Sequence, residues 1–387
     1  MDAYVFQPMF TYLGNKRKLI SNIEQAVETV KTRLGVAALK SLDGFTGSTV
    51  VARMLAKHSS EIHTNDLEYY SYIAAKCFLD KPTPEQEERV RAHIARMNAL
   101  EPTVAGVITD MYAPQDTEHV QPGERCFFTH ENALRIDTWR RYITEHVEPD
   151  VLPWCLCPVL IQMALKANTY GHFKAFSKID GVGTFQRCGD RVKEAMVLEV
   201  PMFNPYSCKV TCHQTSTNDL LTQMPAGSLD LVYLDPPYNE HEYSAFYFLH
   251  NVVAKNERPT NVNATTGLPK VRHKSDYNHA KKAVTAMRDL IAKCVRVAKF
   301  TLVSYNDEGL VPLADWNAML EPYTVERIDI PYSRYSANSK KDDGGRKEVV
   351  EFLYLISSKN EAGPSTAPGP SDPTRASDST DAVADPA

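Results

Sequence analysis

Short apolar runs alternate with amphipathic stretches along most of the chain. Runs rich in Val, Ile, Leu and Tyr that stop at turn residues predict strands, whereas apolar residues recurring every three or four positions predict helices. The pattern predicts a helix ending near Leu34 and further helices over Ser48–His58 and Glu68–Leu79. Seven runs predict strands: Ala37–Phe45, Glu61–Asn65, Lys209–Gln214, Leu229–Leu234, Ala298–Tyr305, Thr324–Ile330 and Val349–Ile356.

The order of these elements predicts an α/β fold. Strands that alternate with helices favour a doubly wound, mostly parallel sheet, here with seven strands. Residues 81–205 interrupt the alternation with helical patterns, including an apolar helix around Trp154–Ala167. We therefore predict a mainly helical subdomain over 81–205, inserted between the two parts of the main domain, 1–80 and 206–357. The remaining 358–387 are rich in Pro, Ser, Ala, Asp and Gly, a composition that predicts a disordered tail.

Composition restricts the class of protein. The chain has 387 residues, of which 43% are hydrophobic and 24% charged, as in soluble globular proteins. The N-terminus lacks the pattern of a signal peptide, and the most apolar stretch, Val151–Ala167, is short for a membrane span and contains two prolines. Eight cysteines without a CxxC pair predict neither a disulfide framework nor a metal site. We expect a cytoplasmic protein without a membrane segment or a metal.

Charge alone does not indicate a nucleic-acid binder, because the formal net charge is −5. Binding of that kind must depend on local basic patches. Three are present, around Lys16–Lys18, Lys270–Lys274 and Lys340–Lys347. For each of them a solvated surface is the simpler interpretation.

Two strand ends carry candidate chemistry. Asp235-Pro236-Pro237-Tyr238 follows the predicted strand Leu229–Leu234, and two prolines make a rigid turn with unpaired carbonyls. Asp43 to Thr49 form a turn with two glycines after the first strand, without a GxGxxG pattern. Asp66 follows the second strand, where an acid can bind ribose hydroxyls. Open α/β folds bind ligands at this edge, so we expect a nucleoside-type ligand, and S-adenosylmethionine fits better than NAD.

Four motifs in order resemble a known family. They are YxGxK at Tyr12–Lys16, DxFxGS at Asp43–Ser48, ND at Asn65-Asp66, and DPPY at Asp235–Tyr238. Together they are similar to S-adenosylmethionine-dependent DNA adenine methyltransferases in which a target-recognition insertion precedes DPPY. The resemblance covers most of residues 10–357. It implies a Rossmann-like methyltransferase sheet, S-adenosylmethionine as methyl donor, no metal, and base flipping of an adenine in double-stranded DNA.

The resemblance also implies residue roles. A cofactor site would comprise Tyr12, Lys16, Asp43, Phe45, Gly47, Asp66 and Asp235. A catalytic turn would comprise Asp235, Pro236, Pro237 and Tyr238. Within that turn, Asp235 and the carbonyl of Pro236 would accept hydrogen bonds from the adenine amino group, and Tyr238 would stack on the ring. Lys16 would serve the cofactor or a nearby phosphate.

Some expectations stay open in the sequence. Thr49 stands where many relatives have a second glycine, and Ser216 or Asp219 would replace an acid that approaches the cofactor adenine. Tyr243 and Tyr247 fit a base pocket and simple core packing equally well. Candidate DNA contacts are Lys18, Lys270, Arg272 and Lys274. Alternatives are methylation of cytosine or RNA, or a non-catalytic DNA-binding relative; a restriction endonuclease is a possible partner.

Overall fold

The computed structural model describes residues 2–7, 9, 12–333 and 348–359. Its strands are β1 (Leu39–Asp43), β2 (Ser59–Asp66), β3 (Lys178–Ile179), β4 (Val182–Gly183), β5 (Lys209–Gln214), β6 (Leu229–Leu234), β7 (Ala298–Asn306), β8 (Thr324–Ser333) and β9 (Glu348–Ser357). Its α-helices are α1 (Ala3–Phe6), α2 (Ile20–Leu34), α3 (Val50–His58), α4 (Tyr69–Leu79), α5 (Pro84–Ala99), α6 (Val107–Tyr112), α7 (His130–His146), α8 (Leu152–Lys166), α9 (Thr217–Gln223), α10 (Tyr243–Phe246), α11 (Phe248–Lys255), α12 (Ala280–Val297) and α13 (Leu313–Leu320).

Seven strands form one sheet in the order β5-β2-β1-β6-β7-β9-β8. Neighbours from β5 to β7 are parallel, whereas β9 runs antiparallel to both β7 and β8. The α/β fold with a mostly parallel, seven-stranded sheet is therefore confirmed. Every predicted strand belongs to this sheet, and the predicted ends differ from the observed ends by at most three residues.

Helices cover both faces of the sheet because each has an apolar side. In α2, Ile23, Val27 and Val30 recur at helical spacing and are completely buried with α3 against one face. In α12, Met287, Leu290 and Ile291 are buried against the other face together with α13. Helices on both faces of a mostly parallel sheet form the doubly wound arrangement that the sequence predicts.

Residues 81–205 contribute α5 to α8 and the small hairpin of β3 and β4. Their apolar side chains, with Trp139 fully buried among them, form a core that also includes parts of α4 and α11. The predicted apolar helix is α8. A target-recognition role for 81–205 stays a prediction, as does the division into domains. The predicted disordered tail falls, apart from residues 358–359, outside the described residues. None of the described helices is both long and apolar enough to cross a bilayer.

Strand register brings the candidate motifs together. The central strands β1 and β6 are parallel neighbours, and Asp43 lies opposite Tyr233. Asp235 follows Tyr233 by two residues, so Asp43 and Asp235 lie at the same edge of the sheet. The next strand outward, β2, ends at Asp66. Because parallel strands share the position of their carboxyl ends, three motifs distant in sequence meet at one edge.

Candidate active site

A cavity of about 940 Å³ lies at this edge of the sheet, large enough for a nucleoside-type ligand. Most of the predicted site residues line it: Tyr12, Lys16, Asp43, Phe45, Gly47, Asp66, Asp235 and Pro237. Pro236 is buried beside it, and the half-buried ring of Tyr238 meets the ring of Tyr305 edge to face at 6.0 Å. The fold therefore brings residues from the first 66 positions and from the second half of the chain together around one cavity.

The turn after β1 brings the backbone close to ligand space. Gly47 has φ +47°, and a Cβ there would lie 2.9 Å from Cε1 of Tyr12. Thr49 has φ 66° although it is β-branched and completely buried. A left-handed conformation costs such a residue free energy. The strain gives a tight entry into α3 directly beside the cavity.

Asp66 holds two neighbouring segments together. One carboxylate oxygen accepts a hydrogen bond from the amide of Gly47 at 2.8 Å, and the other accepts from the amide of Glu68 at 2.9 Å. Burial raises the pKa of Asp66, while these amide bonds oppose the rise. The predicted ribose acid thus lines the cavity and at the same time fixes the glycine turn.

Carboxyl groups outnumber buried cations around the cavity. Burial raises the pKa of Asp43 to about 8, against a hydrogen bond from Phe45, and the charges of Asp235 and Asp66 add to the rise. Burial also raises the pKa values of Asp235 and Glu351. A cavity of this kind stabilises a positively charged ligand, because bringing in a cation relieves the repulsion among the acids.

Lys16 is paired with the acid of the proline turn. Its Nζ lies 2.8 Å from Oδ1 of Asp235 and donates to the carbonyl of Gly14 at 3.0 Å. It also lies 5.4 Å from the ring centre of Tyr238. Burial works to lower the pKa of Lys16, but the Asp235 carboxylate raises it above its ordinary value. The ammonium of Lys16 in turn opposes the rise that burial causes in the pKa of Asp235.

Tyrosines that sequence reasoning left undecided position the Tyr12–Lys16 loop. The hydroxyl of Tyr247 accepts a hydrogen bond from the Leu13 amide at 2.7 Å, and that of Tyr243 donates to the Leu13 carbonyl at 3.0 Å. The ring of Tyr12 stacks on Tyr247 at 4.9 Å. The helical spacing of Tyr243 and Tyr247 after DPPY was the only signal in the sequence for these two residues. That spacing does not show that their hydroxyls bind the backbone of Leu13.

Another wall of the cavity contains contacts of Tyr277 that the sequence did not predict. The ring of Phe45 meets Tyr277 edge to face at 5.4 Å, and the Tyr277 hydroxyl donates to Asn218 at 2.5 Å. Ser216 and Asp219 both line the cavity here. The structure thus leaves both residues available, and the choice between them for the cofactor adenine stays a prediction.

The four candidate DNA contacts lie in two different environments. Lys18, Lys270 and Lys274 are exposed, and Lys274 reaches the rim of the cavity. Arg272 is half-buried and forms an ion pair with Glu242. Its charge is already neutralised within the protein, so the exposed Lys270 and Lys274 of the same stretch are stronger candidates for phosphate contacts than Arg272.

A family model for D12 class N6 adenine-specific DNA methyltransferases matches residues 12–307, well over half of the chain. The chain belongs to this family. The match spans all four motifs and the cavity-lining residues described above. It confirms the family that the motif order suggested.

Curated relatives extend the comparison over most of the chain. The modification methylase StsI of Streptococcus sanguinis is 28% identical over 359 residues, which are 90% of this chain and 52% of that protein. The type II methyltransferase M.CviAII of Paramecium bursaria Chlorella virus 1 is 26% identical over 353 residues, 89% of this chain and 98% of that protein. M.NlaIII of Neisseria lactamica is 26% identical, with 89% and 97% covered. The chain thus spans about half of StsI and nearly all of the other two.

Proposed function

We propose that this D12-class chain transfers a methyl group to the exocyclic amino group of adenine at a specific site in duplex DNA, as part of a restriction-modification or related system in the cytoplasm. The observation that carries the proposal is the Asp235–Tyr238 turn, which meets the acid-rich cavity beside Lys16. Relatives named as modification methylases support a modification role. A cognate endonuclease is the partner that such a role implies.

The cavity fits S-adenosylmethionine. This donor supplies a methyl group on a sulfonium, so that an N–C bond forms while the S–C bond breaks and its electron pair stays on sulfur. Asp43 would face the positive charge of the ligand, Asp66 would bind its ribose, and Phe45 would pack on its apolar surface. Asp43 is 1% exposed and Asp66 lines the same cavity, so both lie where water screens them weakly.

The proline turn would activate the target. The lone pair of an aromatic amine is delocalised into the ring, which makes the nitrogen a poor nucleophile. Asp235 and the Pro236 carbonyl would accept its two N–H groups and turn the lone pair toward the methyl group. Holding that alignment is worth roughly 7–11 kcal/mol in favourable cases. After transfer the nitrogen releases a proton, for which the Asp235 carboxylate is the nearest acceptor in this arrangement.

The target atom is inaccessible in a stacked duplex, so the adenine must be extruded. Extrusion costs a few kcal/mol, which stacking on an aromatic ring partly offsets. Tyr238 would supply that ring, because it follows the two acceptors in the chain and is half-buried at the same turn. Lys18, Lys270 and Lys274 would contact phosphates on the surrounding surface.

Two alternatives use the same fold. Methylation of a cytosine amino group or of RNA would need the same acceptors, and the adenine-specific family favours adenine. A non-catalytic DNA-binding relative would not require the buried Lys16 and Asp235 charges, which are costly to keep in a protein interior.

Expression in a methylation-free host tests the proposal. Single-molecule sequencing of host DNA should detect N6-methyladenine at one sequence motif with the wild-type chain and none with Asp235→Ala. Both proteins should bind S-adenosylmethionine with similar affinity in calorimetry. Modified cytosine, or unmodified DNA with a folded, cofactor-binding wild type, would overturn it.

A further inference from the structure

Lys16 directs its ammonium group at protein atoms. Its Nζ forms an ion pair with Oδ1 of Asp235 and donates a hydrogen bond to the carbonyl of Gly14, and its side chain is 3% exposed. The ring of Tyr238 covers the group from another side. An anionic ligand at Nζ would have to enter beside Asp235 and near Glu351, whose charges would repel it. The geometry therefore argues against a role for Lys16 in binding a phosphate or a cofactor carboxylate.

The two oxygens of Asp235 are not equivalent. Oδ1, which faces Lys16, has no accessible surface, yet the side chain as a whole is 19% exposed. Because Lys16 takes up Oδ1, Oδ2 is the carboxylate oxygen left to a ligand in the cavity that Asp235 lines.

We propose that Lys16 is a positioning residue for methyl transfer, which fixes Oδ1 of Asp235 and thereby presents Oδ2 to one N–H of the target amino group. The inference rests on the proposed function and adds a residue to it. Asp235 touches the target, whereas Lys16 acts through Asp235. A carboxylate held on one oxygen loses little rotational freedom when the other oxygen binds, which favours the aligned geometry.

The loop that carries Lys16 is itself fixed from the segment after the proline turn. Tyr243 and Tyr247 bind the carbonyl and the amide of Leu13. Gly14 has φ +73°, and a Cβ there would lie 3.2 Å from the hydroxyl of Tyr243 and 3.3 Å from that of Tyr238. The closeness of the two segments sets the distance between Lys16 and Asp235.

Protonation of Asp235 would defeat this arrangement, since a proton on Oδ2 would point a donor at the amino group. Burial favours the protonated form and Lys16 opposes it. Asp43 and Glu351 also face this pair, and their carboxylates, when ionised, add to the tendency of Asp235 to protonate. The neighbouring tyrosines Tyr233 and Tyr243 have pKa values raised by burial and carry no charge in this range. Removal of the lysine should therefore move the acid limb of the rate profile to higher pH.

Stability measurements test the pair without reference to activity. Lys16→Met and Asp235→Asn should each lower the melting temperature, by roughly 5 °C, because each leaves a buried group without its partner. The double variant should recover most of that loss. Additive losses would show that the two side chains are not coupled and would overturn the inference. Lys16→Gln, a smaller change that keeps a donor for Gly14, gives a second route if Lys16→Met does not fold.

Single-turnover methylation as a function of pH tests the positioning role. For Lys16→Met we expect a rate loss of about 100-fold near neutral pH, with an acid limb moved up by about one pH unit or more and a cofactor Kd within about threefold of wild type. The matched control is Lys57→Met, which removes an exposed ion pair to Glu24 of similar length, 2.9 Å. It should leave the profile and the melting temperature almost unchanged.

The outcomes separate the two hypotheses. If Lys16→Met weakens cofactor or DNA binding but leaves the pH profile in place, Lys16 is a ligand-binding residue and the inference fails while the proposed function stands. If the melting temperatures show coupling but the wild-type chain modifies no adenine, the pair is real and the proposed function fails.

Discussion

The neighbouring strands β1 and β6 each lead into an acid that lines the cavity and into a tight turn, but the two acids are held differently. Asp43 is 1% exposed, faces no cation within hydrogen-bonding range in the described contacts, and has its pKa raised by burial to about 8. Asp235 lies 2.8 Å from Lys16, which opposes the effect of burial on its pKa. The turn after Asp43 uses left-handed residues, whereas the turn after Asp235 uses two prolines.

This difference suggests different functions for Asp43 and Asp235. An acid that is largely protonated at neutral pH ionises when a positively charged ligand binds beside it, because the cation stabilises the carboxylate. An acid paired with a cation of the protein is favoured in its ionised form over one that is buried without such a partner, and it can then accept N–H groups before any cationic ligand binds. The turn with left-handed residues brings its backbone close to a ligand, while the proline turn fixes a carbonyl in space. We therefore expect Asp43 to govern cofactor affinity and Asp235 to govern rate.

The largest expected effect separates rate from affinity at β6. Asp235→Asn should lower the single-turnover rate on the order of 10³-fold, since an amide is a weaker acceptor and cannot take up a proton. The Kd for S-adenosylmethionine, measured by calorimetry, should stay within a few-fold of wild type. A variant that keeps its rate but loses affinity would reverse the roles assigned to the two strand ends.

The converse change at β1 should act on affinity. Asp43→Asn should weaken S-adenosylmethionine binding on the order of 10²-fold, because an amide cannot supply the negative charge that faces the ligand. Its rate at saturating cofactor should stay within about tenfold of wild type. Calorimetry and single-turnover kinetics on the same preparation measure both quantities. A large loss of rate with normal affinity would place Asp43 in the chemistry instead.

Sequence patterns predicted the ends of β1 and β6 but not the side chains that contact the acids there. The strands and the acids Asp43, Asp66 and Asp235 follow from local apolar runs and turn residues, and their shared edge follows from parallel topology. The Lys16–Asp235 pair does not, because it depends on how a loop near the start of the chain packs against a turn in its second half. The same holds for the hydroxyls of Tyr243 and Tyr247 on Leu13.

The candidate DNA contacts also show that sequence patterns do not predict tertiary contacts. A run of basic residues predicts a charged surface, yet it cannot tell which charge is neutralised within the protein. Arg272 pairs with Glu242 while Lys270 and Lys274 stay exposed, although all three lie in one short stretch of sequence. Patterns in sequence therefore identify the right segment, and tertiary packing decides the individual residue.

A smaller effect concerns pH. Because the pKa of Asp43 is about 8 in the free protein, binding of a cation near neutral pH should release a proton. Cofactor affinity should rise about tenfold between about pH 6.5 and about pH 8.5, and calorimetry in buffers of different ionisation enthalpy should show the release. Asp43→Asn should abolish both. Affinity that does not change over this range would mean that Asp43 does not face the charge.

The same acid also links stability to pH. A folded pKa above the unfolded value means that the contribution of Asp43 to stability is complete below the unfolded pKa and is lost as pH rises through about 8. The ligand-free wild type should therefore melt at a lower temperature near pH 8 than near pH 6, and Asp43→Asn should reduce that difference. Scanning calorimetry of the two proteins at both values measures it.

The smallest effect concerns the two turns and sharpens the contrast between them. Thr49 has φ 66° and its buried hydroxyl has no hydrogen-bond partner among the described residues. Glycine adopts this conformation without the steric cost that a Cβ brings, so Thr49→Gly should be more stable than Thr49→Ala by about 1 kcal/mol. Chemical denaturation of the two variants measures the difference, and the shared loss of the threonine side chain cancels between them. Equal stabilities would mean that the turn after β1 relaxes when the side chain is removed, and that its left-handed shape, unlike the proline turn after β6, is not imposed by the backbone around it.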